Sequence, residues 1–77
     1  MGDRGDGFEV VMSSFDPTRL TEVRKSAGLT QRALAKAAGL SQALVAELER
    51  GKHPPSAASL TKLAAALSVP ETTFNGK

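Results

Sequence analysis

Glycines divide this chain into short segments of helix-forming residues. Gly28, Gly39 and Gly51 each stand where such a segment ends, and Thr30 and Ser41 follow two residues after the first two of them. Glycine adopts the left-handed backbone that commonly ends a helix, while Thr and Ser cap the start of the next one. The pattern predicts a series of short helices, and the fold must be built from them.

Composition also favours helices. The 77 residues include 12 Ala and 9 Leu but no Ile, Trp or Tyr, so helix formers are abundant and strand formers are scarce. Cysteine is absent, which excludes a disulfide framework and a thiolate zinc site. Because the apolar runs are short and no cationic segment precedes one, we expect no membrane span and no signal peptide, and therefore a cytoplasmic protein.

Five short helices are predicted after residue 15. Asp16 caps the first, and Pro17 stands at its first position, where proline is preorganised for a helix. The fifth is a short turn from Glu71 to Phe74. The apolar faces of the first four contain, in order, Leu20, Val23 and Ala27; Leu34, Ala35 and Ala38; Val45 and Leu48; and Leu60, Leu63, Ala64 and Leu67.

Residues 1–15 are predicted to be a tail on a domain of residues 16–77. Residues 1–7 are mostly glycine and charge, and we expect them to be flexible. Residues 8–15 read FEVVMSSF, which fits either a helical stripe or a strand alternation. Both interpretations leave an apolar surface that needs a partner, namely the chain's own domain, a second copy or another protein. A simpler alternative is that Met12 is the true start.

Charge separates the two parts. Residues 1–16 have one Arg against four acidic residues, a sum of −3, whereas residues 17–77 have nine Lys or Arg against four Glu, a sum of +5. A basic folded part is typical of proteins that bind polyanions, although neutral partners would tolerate this charge equally well.

The segment Gly39-Leu40-Ser41 joins two helices of about two turns each. It is too short for helices with parallel axes, so it forces a steep crossing, which is the geometry of a helix-turn-helix. We expect the small Ala35 where the two helices approach each other, and Val45 with Leu48 as the buried anchors of the second helix.

Residues 30–69 read TQRALAKAAGLSQALVAELERGKHPPSAASLTKLAAALSV. A TQ-x-x-LA-x-x-x-G block, a helix ending in ERGK and a P-S start of the next helix occur in this order. Together these motifs resemble the Xre/lambda-repressor-like helix-turn-helix family over roughly residues 17–74. The resemblance implies an all-α, five-helix lambda-repressor-like domain that binds double-stranded DNA as a transcriptional repressor at the nucleoid. Because one copy reads only a few base pairs, we expect a homodimer on two half-sites.

The recognition helix of this motif, residues 41–50, is expected to lie in the major groove. Gln42 can pair with adenine, Glu47 can accept from the cytosine amino group, and Ala43 and Ala46 suit thymine methyl groups. The plain alternatives are that the alanines serve helix propensity and that Glu47 is a solvated carboxylate, which weakens binding near phosphates. The Ala-rich face differs from the more polar recognition helices of the family, so few side chains are available to form hydrogen bonds with the bases.

Phosphate contacts are expected around this helix. The resemblance places one at Gln31, where the free backbone N–H groups of a helix start also favour anions. The other predicted contacts are Ser41, Arg50, Lys52 and Ser56. His53 is interpreted as a loop residue, and because no companion ligands surround it in the sequence we expect no metal and no cofactor.

Arg24 falls on the otherwise apolar face of the first helix. A charge there needs a partner, because an unpaired buried charge costs several kcal/mol of desolvation. The family resemblance pairs this position with that of Glu49. We therefore expect a structural Arg24–Glu49 salt bridge that orients the recognition helix.

Two other functions stay open on the sequence. An antitoxin of a toxin–antitoxin pair would repress its own operon and bind the toxin through residues 8–15. A protein-interaction module on the same scaffold, without DNA readout, would explain the Ala-rich outer face. Catalysis is not expected, because the chain has one His, no Cys or Tyr, and no nucleophile or phosphate-loop motif.

Overall fold

The computed structural model describes residues 15–76. They form four α-helices, α1 (Pro17–Ser26), α2 (Gln31–Ala38), α3 (Gln42–Glu49) and α4 (Ala57–Leu67), and a 3-10 helix at Glu71–Phe74. The predicted all-α class is confirmed. The fifth element is the short turn from Glu71 to Phe74 that the sequence predicts, and it is a 3-10 turn, so the number of α-helices is four.

The 3-10 turn is short for two physical reasons. Pro70 precedes it in an extended conformation, and Asn75, with φ −78° and ψ 140°, is extended again directly after it. Four residues between two extended ones are too few to nucleate an α-helix, whereas the tighter 3-10 pattern is common in such short pieces.

Each α-helix begins at a side-chain cap, as the sequence predicts. Asp16 accepts from the Thr18 N–H at 2.9 Å, and the hydroxyl oxygens of Thr30, Ser41 and Ser56 each accept from the N–H of the third helical residue at 3.0–3.1 Å. Such a cap contributes about 1 kcal/mol relative to alanine. Four caps therefore fix where the helices start.

The core is formed by one face of each helix and by the 3-10 turn. Its buried members are Leu20, Leu34, Ala35, Ala38, Val45, Leu48, Leu60, Leu63, Ala64, Leu67 and Phe74. The predicted apolar faces of α2, α3 and α4 are thus confirmed, but Ala27 is exposed. The reason is that α1 ends at Ser26, so Ala27 serves as its C-cap and its N–H bonds back to Val23 and Arg24.

The two ends of the described chain lie together. The Phe15 and Phe74 rings are 6.4 Å apart between centroids, Phe15 and Asn75 form an isolated antiparallel bridge, and the Asp16 N–H donates to the Phe74 carbonyl at 2.7 Å. Phe15, placed by its sequence pattern in the apolar tail segment, therefore packs on the domain. The remainder of that tail, residues 1–14, lies outside the described residues, as does Lys77.

Among the helices of residues 15–76, none has the length and apolar character that crossing a bilayer requires.

Candidate nucleic-acid interface

The turn between α2 and α3 consists of the three residues 39–41, as the sequence predicts. Gly39 adopts a left-handed backbone with φ 71°, and the Leu40 N–H donates to the Ala35 carbonyl at 2.8 Å. Ser41 then caps α3 at once. Ala35 is only 3% exposed, and the turn brings α3 close to α2.

One side of α3 is anchored and the other is accessible. Val45 and Leu48 are fully buried, so the predicted anchors of this helix are confirmed. The four predicted base-contact residues are away from that side: Gln42 and Ala43 are exposed, and Ala46 and Glu47 are half-buried. The amino-terminal turn of α3 is the most accessible part of the helix.

The predicted phosphate donors surround α3 but are not equally free to donate. Arg50 and Lys52 are exposed at its carboxyl end. The Ser41 oxygen accepts from the Leu44 N–H at 3.0 Å, which leaves its hydroxyl proton available. The Ser56 hydroxyl donates to the Ser59 hydroxyl at 3.1 Å, so its proton is engaged within α4.

Arg24 and Glu49 form the ion pair that links α1 to the end of α3. Arg24 Nε lies 2.6 Å from Glu49 Oε2, and Nη2 lies 3.1 Å from Oε1. The Nη1 group donates to the Leu29 carbonyl at 2.8 Å. The two side chains are 11% and 6% exposed, so the pair is almost fully removed from water.

Gln31 joins this pair from the start of α2. Its Nε2 donates to Glu49 Oε1 at 3.0 Å, and the residue is half-buried. A primary amide carries two N–H donors, so one proton remains for another acceptor. The sequence pattern predicted a phosphate contact at Gln31 but not its bond to Glu49, because that contact spans 18 residues and no local motif signals it.

The pKa of Glu49 lies below its usual value. Burial of the carboxyl group raises the pKa, but the hydrogen bonds from Arg24 and Gln31 and the charge of Arg24 more than offset that effect. Glu49 is therefore held as a carboxylate at neutral pH.

The structure also brings His53 to the outer side of α3. Its Nε2 is 3.4 Å from Glu47 Oε1, a contact for which the sequence offered no signal beyond a spacing of 6 residues. No group of three His, Asp or Glu side chains within residues 15–76 has the geometry to hold a metal ion.

A protein-family model described as helix-turn-helix matches residues 20–74. This range begins within α1 and includes the whole of the four helical elements that follow. The chain belongs to the helix-turn-helix family. The match spans the turn between α2 and α3, the recognition helix and the 3-10 turn, so the family accounts for nearly the whole described domain.

Known members of the helix-turn-helix family resemble this chain in sequence and in fold. The HTH-type transcriptional regulator SutR of Escherichia coli is 36% identical over 63 residues, which are 82% of this chain and 35% of the regulator. The immunity repressor protein of Bacillus phage phi105 is 36% identical over 59 residues, 77% of this chain and 41% of the repressor.

Among solved structures, the restriction-modification controller protein C.AhdI from Aeromonas hydrophila is similar at a TM-score of 0.73 and 36% identity. The similarity covers 75% of this chain and 88% of the controller protein. This helix-turn-helix chain thus spans about a third of the length of the E. coli regulator but most of the length of the controller protein.

Proposed function

We propose that this helix-turn-helix chain binds double-stranded DNA with α3 in the major groove, and that it represses transcription. The observation that carries the proposal is the position of α3. Val45 and Leu48 anchor one side in the core, while Gln42 and Ala43 are exposed on its amino-terminal turn. In helix-turn-helix proteins that turn meets base edges.

Base readout is assigned to the side chains of this outer surface. The exposed Gln42 has the paired donor and acceptor that adenine requires, and Ala43 and Ala46 leave space for thymine methyl groups. Glu47 supplies an acceptor for the cytosine amino group. Because two of the four side chains are alanines, DNA shape and phosphate contacts carry much of the affinity.

Phosphate contacts are assigned to both ends of the motif. At the start of α2, the second Nε2 proton of Gln31 and the free backbone N–H groups are the donors we assign to one phosphate. At the end of α3, the exposed Arg50 and Lys52 add positive charge, and Ser41 keeps a hydroxyl proton to donate. Ser56 contributes through the start of α4 and its backbone, since its hydroxyl proton is engaged.

The proposed function also implies an oligomeric state and a cellular location. One α3 reads only a few base pairs, so we infer that residues 16–77 act as the DNA-binding domain of a homodimer on half-sites about one helical turn apart. In this proposal the chain is a regulator without enzymatic activity that is located in the cytoplasm and associates with the nucleoid. SutR and the phi105 repressor support this proposal by the regulatory functions in their names.

Selection from random duplexes tests the proposal directly. The purified chain should recover duplexes with a two-fold related motif. Gln42→Ala should then lose the preference for adenine at one position of each half-site, whereas Lys62→Ala, a change at an exposed α4 residue outside the assigned contacts, should leave the motif intact. Recovery of no motif at all would refute sequence-specific binding and favour a protein-interaction module on this scaffold.

A further inference from the structure

His53 and Glu47 form a pair of titratable groups on the outer side of α3. The ring nitrogen Nε2 lies 3.4 Å from Oε1 of the carboxylate, and the two side chains are 47% and 37% exposed. Glu47 is one of the assigned base contacts, whereas His53 has no role in the proposed function. The proposed function therefore does not explain why His53 lies beside this base-contact residue.

The end of α3 brings His53 back over the helix. Gly51 adopts a left-handed backbone with φ 77°, and the Lys52 N–H donates to the Glu47 carbonyl at 3.1 Å. The loop is held further on by Pro55, which is buried. His53 lies between these two fixed points, so its position beside Glu47 is a consequence of the loop backbone.

Both ring nitrogens of His53 face acceptors. Nδ1 is 3.2 Å from the Pro54 carbonyl oxygen, and Nε2 faces the Glu47 carboxylate. A neutral imidazole has a single N–H, so in either tautomer one acceptor meets a lone pair instead of a proton. The imidazolium ion has two N–H groups and donates to both. Protonation therefore stabilises the arrangement that the structure shows.

The other charged side chains near His53 do not compete with Glu47 for its ring. Arg50 and Lys52 flank it along the chain, and the start of α1, whose Pro17 packs near Gly51, carries Asp16 and Arg19. Within residues 15–76, no hydrogen bond or ion pair joins any of these four charged side chains to His53. Glu47 is thus the carboxylate that His53 meets in the described chain.

We propose that protonated His53 is a positioning residue for Glu47. It holds Oε1 and leaves Oε2, which no hydrogen bond uses within residues 15–76, free to accept from a cytosine amino group. The positive ring also offsets the carboxylate charge that phosphates would otherwise repel. The inference rests on the proposed function, and it makes the base preference of α3 depend on the charge of the His53 ring, because histidine is the side chain whose charge changes most readily with pH.

Selection from random duplexes at about pH 5.5 and about pH 8 tests this role. The wild-type chain should prefer cytosine at one position of the recovered motif, about three-fold more strongly at the acidic pH. Glu47→Ala, which removes the acceptor oxygens, should lose this preference at both pH values. His53→Ala should leave it equally weak at both, and Gln42→Ala, the matched control, should keep the pH dependence while losing the adenine preference.

The failures of the two proposals are distinguishable. If a motif is recovered but its cytosine preference is equal at both pH values, or survives in His53→Ala with its pH dependence, His53 does not position Glu47. If Glu47→Ala changes no preference, Glu47 makes no base contact and His53 cannot position it for one. If no motif is recovered at either pH, the proposed DNA readout itself is refuted.

Discussion

Arg24 and Glu49 stand 25 residues apart, and two nitrogens of the guanidinium donate to the two carboxylate oxygens at 2.6 Å and 3.1 Å. This fork geometry is the strong form of an arginine–carboxylate contact. Because Gln31 also bonds to Glu49, three helices converge on one carboxylate. The orientation of α3 thus depends on a buried polar centre as well as on its apolar anchors.

Removal of Arg24 should destabilise the domain strongly. Arg24→Met leaves the Glu49 carboxylate 6% exposed without its charged partner, and such a change costs about 3–5 kcal/mol. A small domain has a total stability of about 5 kcal/mol or more, so the variant should be close to unfolded at room temperature. Urea unfolding of the variant and the wild type at neutral pH measures the difference.

The double variant Arg24→Met/Glu49→Leu is the control for this change. Replacing both charges with apolar side chains removes the unpaired carboxylate, so most of the lost stability should return. A single variant that loses less than about 1 kcal/mol would mean that water reaches Glu49 and compensates it.

The lowered pKa of Glu49 predicts a specific dependence of stability on pH. A group whose pKa is lower in the folded state stabilises that state above its unfolded pKa, which is about 4.3 for Glu, and the contribution is lost as pH falls through the folded value. The wild type should therefore be more stable than Glu49→Gln at neutral pH. That difference should narrow as the pH is lowered below about 4.3.

Unfolding curves of both proteins from neutral pH to about pH 2.5 measure this effect. If the free energy of unfolding changes with pH equally in both proteins below about pH 4.3, the lowered pKa of Glu49 does not arise from its contacts in the folded state. The measurement is independent of DNA, so it tests the buried centre alone.

Local signals in the sequence predicted most of the fold. The caps at Thr30 and Ser41 and the glycine at 39 each act within one turn of chain, and the helices begin and end where those residues require. Helical spacing likewise predicted the buried face of α3. Such features are readable because their physical cause lies within a few residues of sequence.

Contacts between residues that are distant in the sequence were harder to predict. The bond from Gln31 to Glu49 and the position of His53 beside Glu47 depend on how loops and helices meet, and no spacing rule encodes them. The sequence also offered no sign that Ser68 ends α4 with a left-handed backbone, since serine rarely adopts it. For the Arg24–Glu49 pair, helical spacing indicated that Arg24 needs a buried partner, and the family resemblance indicated Glu49 as that partner.

Ser68 provides a stability prediction of its own. It has φ 58°, a conformation that costs a residue with a Cβ about 1–2 kcal/mol and costs glycine little. Ser68→Gly should therefore stabilise the domain by roughly 0.5–1 kcal/mol in thermal or urea unfolding. Gly39→Ala is the matched opposite: beyond the neighbouring residues of the chain, no atom lies within 4 Å of the added Cβ, so its destabilisation reports the backbone alone. An unchanged or lower stability of Ser68→Gly would contradict this account.

Lys52 should contribute one phosphate contact to DNA binding. Its side chain is exposed directly after α3, and neutralising a phosphate releases counterions, so log K falls with log salt in proportion to such contacts. Lys52→Ala should reduce that slope by about one unit while leaving the recovered motif unchanged. Lys62→Ala removes the same charge from exposed α4 and should leave the slope near that of the wild type. Equal reductions in the two variants would show that net charge, and not a contact at Lys52, governs the salt dependence.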